Sequence, residues 1–310
     1  MGVKQYPHPE YIEFWNRPET PAHANENEDL NRAKKNEYPE SLSVFDTDIP
    51  SKEDDHKIPV RVYGPKDAEG LLPVIMNVHG GGFVGGTVDN DDIICSFFAE
   101  HVPAVVVSVE YTLAPKKVYP YQIHECYDVL CWLAENAEEF GGDGKKLGTY
   151  GMSAGANITA GMLLYSRDHW GPKVTLAGIS IPLITDEITG SVIQNYDGPV
   201  VYGKNLLEPR SDDEIYAGDH NGYGYPWYLY ADKCPNLGGF PPSMVITAEY
   251  DPFRDGAINF ARHLMQCCVP CELYVMPRVP HGFETMTEAP MTRWLWEGIC
   301  ASYRREFSRE

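Results

Sequence analysis

Short apolar runs, each bounded by polar or turn-forming residues, recur along most of the chain. Six of them have the length of strands: residues 71–78, 104–109, 147–150, 176–181, 243–248 and 271–276. The first holds a single polar side chain, as expected for a strand buried on both faces of a mostly parallel sheet. Two earlier runs, residues 41–48 and 57–63, flank a turn rich in Pro and Asp and predict an antiparallel pair that opens the sheet.

Between these runs, apolar side chains recur with the spacing of helices. Residues 121–140, 154–164 and 256–267 show this spacing, and a closing helix carries Trp294 and Ile299. Strands that alternate with helices predict an α/β fold, with a mostly parallel central sheet, flanking helices and right-handed crossovers.

Two segments depart from this alternation, which divides the chain into a core (residues 41–182 and 241–310) and two additions. Residues 1–40 are polar, with a charged helical run at 26–35, and form either an ordered N-terminal arm or a lid over a pocket. Residues 183–240 form a long insertion rich in Gly, Pro and Tyr, typical of a cap. Its aromatic residues either wall a substrate pocket or attach the insertion to the core.

Charge and cysteine content argue against several classes of partner and cofactor. The 25 basic and 45 acidic residues give a formal charge of −20, which argues against nucleic-acid and anionic membrane partners. The eight cysteines show no zinc spacing, and we expect no metal and no cofactor. Residues 1–10 lack a secretory apolar core, and no run reaches the length of a membrane helix, so we expect a cytoplasmic protein.

The strongest local motif is Gly-x-Ser-x-Gly at residues 151–155, centred on Ser153. It follows the run 147–150 and precedes the helix 154–164, and this strand–turn–helix order is the context of a nucleophile elbow. The two glycines leave room where strand and helix backbones approach closely. The pentad alone is weak evidence, because chains rich in Gly and Ser contain it by chance.

A second motif, His79 followed by three glycines, ends the run 71–78. Without side chains, the backbone N–H groups of such a loop can approach a ligand closely, as in the oxyanion hole of a hydrolase. The alternative is a plain flexible loop.

Two further residues complete a possible catalytic set. Asp251 follows the run 243–248, and His281 comes shortly after the run 271–276. The carboxyl ends of parallel strands lie at one edge of the sheet, so Ser153, Asp251 and His281 are expected there together. A serine hydroxyl needs an imidazole to take its proton, and the imidazolium needs a fixed carboxylate. The order Ser, Asp, His along the chain is that of α/β-hydrolases.

The chain resembles the hormone-sensitive lipase family of carboxylesterases, within the α/β-hydrolase superfamily. The resemblance covers about residues 71–283. Its marks are the segments 79–82 (HGGG), 110–115 (EYTLAP), 151–155 (GMSAG), 251–255 (DPFRD) and 281–283 (HGF).

The resemblance implies that Ser153 is the nucleophile, His281 the general base and acid, and Asp251 the orienting carboxylate. Asp255 and Glu249 are rival acids, with Asp255 expected to brace its loop.

The resemblance further implies that the backbone N–H groups of Gly81, Gly82 and Ala154 form the oxyanion hole. His79 is expected to hold the glycine loop in shape.

The candidate substrate contacts are Phe83, Met152, Trp227 and Tyr228. The chain departs from the family pattern at Met152, where the family usually carries Asp, and at Thr112, where it usually carries Arg.

We therefore expect a serine carboxylesterase that acts on a small ester with a short or medium acyl group, for example an aryl ester or a lactone. The alternatives are a non-hydrolytic enzyme of the same fold (acyl transfer, elimination or cyclisation) and a small-ligand receptor. The presence of His281 argues against the receptor. The run 271–276 is expected at a sheet edge, where a second copy would pair to form a homodimer.

Overall fold

The computed structural model describes residues 6–12, 37–52, 54–187, 189–194, 216–218 and 226–309. Within them lie eight strands: β1 (Leu42–Pro50), β2 (Lys57–Pro65), β3 (Leu72–Val78), β4 (Val105–Val109), β5 (Gly142–Met152), β6 (Leu176–Ser180), β7 (Ser243–Tyr250) and β8 (Cys271–Pro280). The α-helices are α1 (Asp92–His101), α2 (Tyr121–Asn136), α3 (Ala154–Asp168), α4 (Gly190–Gln194), α5 (Arg254–Gln266) and α6 (Pro290–Phe307).

All eight strands form one sheet in the order β1-β2-β4-β3-β5-β6-β7-β8. β1 and β2 form an antiparallel hairpin, β2 pairs antiparallel with β4, and the other pairs are parallel. The expectation of a mostly parallel sheet opened by an antiparallel pair is confirmed.

Apolar side chains cover both faces of the sheet. Residues of α2, α3 and α5 belong to one buried cluster, and residues of α1 and α6 belong to the other. Every residue of β4 and of β6 is buried, as expected for strands covered by helices on both sides.

This topology brings four strand ends to one edge of the sheet. β3 ends before His79, β5 before Ser153, β7 before Asp251 and β8 before His281. The connections that follow these ends carry every residue of the predicted catalytic set.

β8 is an edge strand, as the sequence predicted. The described N-terminal residues 6–12 lie against its last residues, where the His8 N–H donates to the carbonyl oxygen of Arg278 at 2.8 Å. The Tyr11 hydroxyl also hydrogen-bonds the Thr292 hydroxyl on α6 at 2.7 Å. Residues 6–12 are thus held against β8 and α6, and the choice between an arm and a lid for residues 1–40 stays a prediction. The homodimer through residues 271–276 stays a prediction.

The pattern missed two of the described helices, α1 and the five-residue α4. Six of the ten residues of α1 are apolar, among them the buried Ile94, Phe97 and Phe98, and periodicity cannot tell such a short run from a strand. The predicted helical run 26–35 and much of the insertion 183–240 lie outside the described residues. No helix in the described part of the chain has the length and apolarity needed to span a bilayer.

Candidate active site

Three buried side chains form a continuous hydrogen-bonded chain at the carboxyl edge of the sheet. Ser153 Oγ lies 2.9 Å from His281 Nε2, and His281 Nδ1 lies 2.8 Å from Asp251 Oδ2. The exposed fractions of the three residues are 9%, 3% and 0% in the same order. The structure thus brings together the three residues that the sequence placed on separate strands.

Ser153 sits at a strained turn between β5 and α3, with φ of 55°. Its N–H donates to the carbonyl oxygen of Ser180 at 2.9 Å. A Cβ added at Gly155 would lie 2.0 Å from the carbonyl oxygen of Val78, so only glycine fits there. Close backbone packing therefore holds the serine above the sheet at the N-terminus of α3.

Asp251 is fixed on both of its carboxylate oxygens. Oδ2 accepts from His281 Nδ1, and Oδ1 accepts from the Phe253 N–H at 2.8 Å. With Nδ1 donating, Nε2 of the neutral imidazole is the acceptor that faces the serine hydroxyl. His281 also has the Phe253 ring edge-on at 5.2 Å between ring centroids.

The rival acids make other contacts. Asp255 accepts from the Ser191 N–H at 2.7 Å and from the Arg254 guanidinium at 2.9 Å, so it braces its loop. Glu249 accepts from the Arg278 N–H at 2.7 Å. Of the three acids, only Asp251 has a hydrogen bond to His281 among the described contacts.

The glycine loop, residues 79–86, lies directly beside the serine. A Cβ added at Gly80 would lie 3.0 Å from the Met152 carbonyl oxygen and 3.3 Å from Ser153 Cβ. Gly81 and Gly82 have φ of 129° and 62°, a region that favours glycine. Ala154 is the first residue of α3, so its N–H has no intrahelical acceptor. Their role as oxyanion donors stays a prediction.

His79 supports this loop from within. Its Nδ1 donates to the Gly80 carbonyl oxygen at 2.7 Å, and its ring stacks on Tyr111 at 4.3 Å between centroids. Burial lowers the pKa of His79, so the ring is neutral. The Tyr111 hydroxyl donates to the His79 carbonyl oxygen at 3.1 Å.

Thr112, the residue after Tyr111, contacts the buried carboxylate of Glu125. Glu125, 2% exposed, accepts from the Thr112 N–H and from the Thr112 hydroxyl, each at 2.8 Å. His56 Nε2 lies 2.8 Å from the same carboxylate. We call these contacts the Glu125 bridge. It ties the β1–β2 hairpin and α2 to the loop behind His79, at one of the two positions that depart from the family pattern.

Two candidate substrate contacts lie next to the serine. Phe83 is 2% exposed, and its ring stacks on Tyr216 at 4.0 Å, so in this structure it supports the glycine loop. Met152 precedes Ser153 and is partly exposed. Contact with substrate stays a prediction for both.

The side chains of the other two candidates, Trp227 and Tyr228, contact the end of α3 that lies far from Ser153. Trp227 Nε1 and the Tyr228 hydroxyl both donate to Asp168, at 3.5 and 2.9 Å. Asp168 ends α3, whose 15 residues span about 20 Å from the serine. In this structure both side chains attach the insertion to the core, which was the alternative explanation for its aromatic residues, and their contact with substrate stays a prediction.

Asn157 joins two points of that insertion near the serine. Its Nδ2 donates to the carbonyl oxygens of Leu183 and Leu229 at 2.6 and 2.8 Å. One side chain, one turn after Ser153, therefore holds the first residue of the insertion and a residue in its last quarter.

No sequence motif marks the second buried carboxyl group near the triad, which belongs to Glu284. Glu284, 2% exposed, accepts from Tyr150 at 2.6 Å, from Trp296 Nε1 at 3.1 Å and from the Ser180 hydroxyl. Burial raises the pKa of Glu284, against the opposing effect of these hydrogen bonds and of His281.

A family model described as the alpha/beta hydrolase fold (Abhydrolase_3) matches residues 75–285, more than half of the chain. The chain belongs to this alpha/beta hydrolase family. The matched region contains the glycine loop and all three residues of the hydrogen-bonded chain, and the resemblance inferred from the motifs is confirmed.

Relatives within the family are esterases by name. Carboxylesterase NlhH of Mycobacterium tuberculosis is 34% identical over 235 residues, which cover 73% of this chain and 71% of that protein. An arylesterase of Saccharolobus solfataricus is 31% identical over 246 residues, 76% of each chain. The solved structure titled Bacterial Heroin Esterase has a TM-score of 0.81 and 29% identity, with 87% of this chain and 86% of that chain covered. These relatives confirm that the chain is an enzyme of this esterase family.

Proposed function

We propose that the protein hydrolyses small carboxylic esters through an acyl-Ser153 intermediate. The observation that carries this proposal is the buried chain from Ser153 through His281 to Asp251, with separations of 2.9 and 2.8 Å. It places a proton acceptor on the hydroxyl and a carboxylate behind that acceptor, which is the arrangement that acyl transfer to serine requires.

In the first half-reaction, Ser153 Oγ attacks the ester carbonyl carbon while His281 Nε2 takes the hydroxyl proton. The negative charge on the carbonyl oxygen faces the N–H groups of Gly81, Gly82 and Ala154. Each such donor is worth about 3–4 kcal/mol of transition-state stabilisation. His281 then donates its proton to the leaving alcohol oxygen, and Asp251 stabilises the imidazolium throughout.

In the second half-reaction, His281 takes a proton from water as that water attacks the acyl carbon. The tetrahedral intermediate expels Ser153 Oγ, which regains its proton from His281. The carboxylic acid leaves, and the site returns to its starting state without a metal or cofactor taking part in any step.

For the substrate class we propose a short acyl group on an aryl alcohol. Relatives named arylesterase and Heroin Esterase support the aryl alcohol. The buried position of Ser153, which is 9% exposed, supports a small acyl group.

The test compares three proteins with p-nitrophenyl acetate and p-nitrophenyl octanoate. The parent is expected to favour the acetate. Ser153→Ala is expected to lower kcat by about 10⁴-fold or more. Ser308→Ala, an exposed serine whose hydroxyl donates to the Arg305 carbonyl oxygen, is the control and keeps the parent rate.

Two results would contradict the proposal. Equal turnover by Ser153→Ala and parent would place the chemistry at another residue. Covalent reaction of Ser153 with a fluorophosphonate, without turnover of any ester, would favour acyl transfer or another non-hydrolytic reaction at the same serine.

A further inference from the structure

Glu284 lies outside the predicted triad but in contact with the strands that position it. The residue is in the short turn that follows His281 and Gly282. Its carboxylate reaches Tyr150 on β5, Ser180 at the end of β6 and Trp296 on α6. One side chain therefore connects the His281 loop to three other elements.

Two of these contacts lead to the nucleophile. Tyr150 lies three residues before Ser153 on the same strand. Ser180 donates its hydroxyl to Glu284 and accepts the Ser153 N–H on its carbonyl oxygen at 2.9 Å. The position of His281 relative to Ser153 is thus set partly through the Glu284 carboxylate.

The hydrogen bonds also indicate which form of Glu284 is present. Trp296 Nε1 is a donor only, and the Tyr150 and Ser180 hydroxyls supply two further protons. All three groups can donate to an ionised carboxylate at once, whereas a carboxylic acid would need one of the two hydroxyls to turn and accept its proton. The carboxylate is near enough to His281 for the two to interact electrostatically.

We propose that Glu284 is a positioning residue for the reaction, whose buried negative charge fixes the His281 loop and stabilises the imidazolium formed during acyl transfer. Asp251 holds the ring through Nδ1, and Glu284 supplies a second negative charge from behind the loop. This inference rests on the proposed chemistry at Ser153.

Other titratable groups face this site. Asp251 and Ser153 contact His281 directly. Asp91 interacts electrostatically with Glu284, and burial raises the pKa of Asp91 as it raises that of Glu284. The Tyr11 phenol, from the N-terminal arm, also interacts with Glu284, and burial raises its pKa to about 12.

The experiment separates charge from geometry. In Glu284→Gln the amide oxygen still accepts from Tyr150 and Trp296, and the amide nitrogen can donate to the Ser180 hydroxyl, so shape is kept and charge is lost. Glu284→Asp keeps the charge but withdraws the carboxylate by one methylene. Glu288→Gln is the matched control, because the Glu288 side chain is 88% exposed.

Each protein is assayed for kcat and KM with p-nitrophenyl acetate, and for the rate of Ser153 phosphonylation, from about pH 5 to pH 9. In Glu284→Gln we expect the acidic limb of both profiles to move by about 1 pH unit toward lower pH. The sign follows because losing a negative charge disfavours the imidazolium. We also expect kcat to fall with KM unchanged, the pattern of a transition-state interaction.

Glu284→Asp should show the same acidic limb of the pH profile as the parent, with a lower kcat. Glu288→Gln should match the parent in both. Superimposable profiles of Glu284→Gln and parent would overturn the proposal, and so would a change confined to the melting temperature. If Glu284→Gln does not fold, Tyr150→Phe, which removes one donor to the carboxylate, is expected to move the limb because it changes the electrostatic environment of His281; superimposable profiles of Tyr150→Phe and parent overturn the proposal.

The two hypotheses fail in different ways. A parent that is phosphonylated at Ser153 but hydrolyses no ester contradicts the proposed function alone, since the phosphonylation profile still tests Glu284. A parent that does neither contradicts both.

Discussion

Residues 151–155, the elbow, and residues 79–86, the glycine loop, meet at the candidate nucleophile but are held by different kinds of contact. In the elbow, backbone atoms pack so closely that a Cβ at Gly151 would lie 2.5 Å from the Gly155 carbonyl oxygen. Behind the glycine loop, His79 contacts Tyr111, and the next residue, Thr112, belongs to the Glu125 bridge, in which Glu125 and His56 are titratable. Close backbone packing shapes both segments, since a Cβ at Gly81 would lie 2.0 Å from the Gly85 carbonyl oxygen, but the loop also depends on side chains that respond to pH.

This difference has consequences for substitution. A close backbone contact tolerates no added atom and does not change with pH. A chain of hydrogen bonds weakens stepwise when one partner is changed. The predictions below test the comparison, from the most severe expected effect to the mildest.

The largest effect is expected at Gly155. In Gly155→Ala the new Cβ meets the carbonyl oxygens of Val78 and His79 at 2.0 and 2.5 Å, so the β3 end and α3 must separate. We expect the free energy of unfolding to fall by about 3 kcal/mol, with kcat lowered because Ser153 moves. Urea denaturation and ester kinetics measure the two effects.

Gly298→Ala is the matched control. A Cβ there meets nothing within 4 Å, and α6 gains the helix preference of alanine, about 0.5–1 kcal/mol. If Gly155→Ala were as stable as the parent, the steric account of the elbow would be wrong.

A smaller effect is expected at Glu125. Glu125→Gln removes a buried charge that accepts from Thr112 and His56 and should cost about 1–2 kcal/mol of unfolding free energy. Because Thr112 follows Tyr111, kcat should fall while Ser153 remains reactive toward a fluorophosphonate. Unchanged stability and kcat would show that the Glu125 bridge does not support the glycine loop.

The mildest effect is expected at His56 and depends on pH. Burial alone would lower the pKa of His56, but its hydrogen bonds to Asp54 and Glu125 raise it overall. A raised folded-state pKa contributes stability that is full below the unfolded value, about 6.5, and is lost as pH rises through the folded value.

We therefore expect His56→Gln to be less stable than the parent at about pH 6, by less than about 1 kcal/mol because the ring is partly exposed, and to approach the parent at about pH 9. Thermal melts of both proteins across this range measure the difference. A gap that stays constant with pH would mean that the His56 charge contributes nothing.

The elbow and the triad were predictable because each depends on local chain features. In Gly-x-Ser-x-Gly, the residues that must pack closely lie within five positions of the chain. Asp251 and His281 follow strands whose carboxyl ends must lie at the same edge of the sheet. The polar supports were not predictable in this way. Glu284 meets Tyr150 and Ser180 across 134 and 104 residues of chain, and no local pattern marks such a contact.

The aromatic residues of the insertion show the same limit. Trp227 and Tyr228 follow a segment that looks like a cap, yet their polar atoms bind Asp168 at the far end of α3. Composition indicated an aromatic insertion, but which aromatic side chains face the serine depends on how the chain returns to the core.

The most direct test of an acyl-Ser153 intermediate is the intact mass of the protein after rapid acid quenching of its reaction with p-nitrophenyl acetate. The account predicts a mass gain of one acetyl group, located by proteolysis to the peptide that contains Ser153 and missing in Ser153→Ala. Turnover by the parent with the acetyl group on another residue, or turnover that persists in Ser153→Ala, would contradict it.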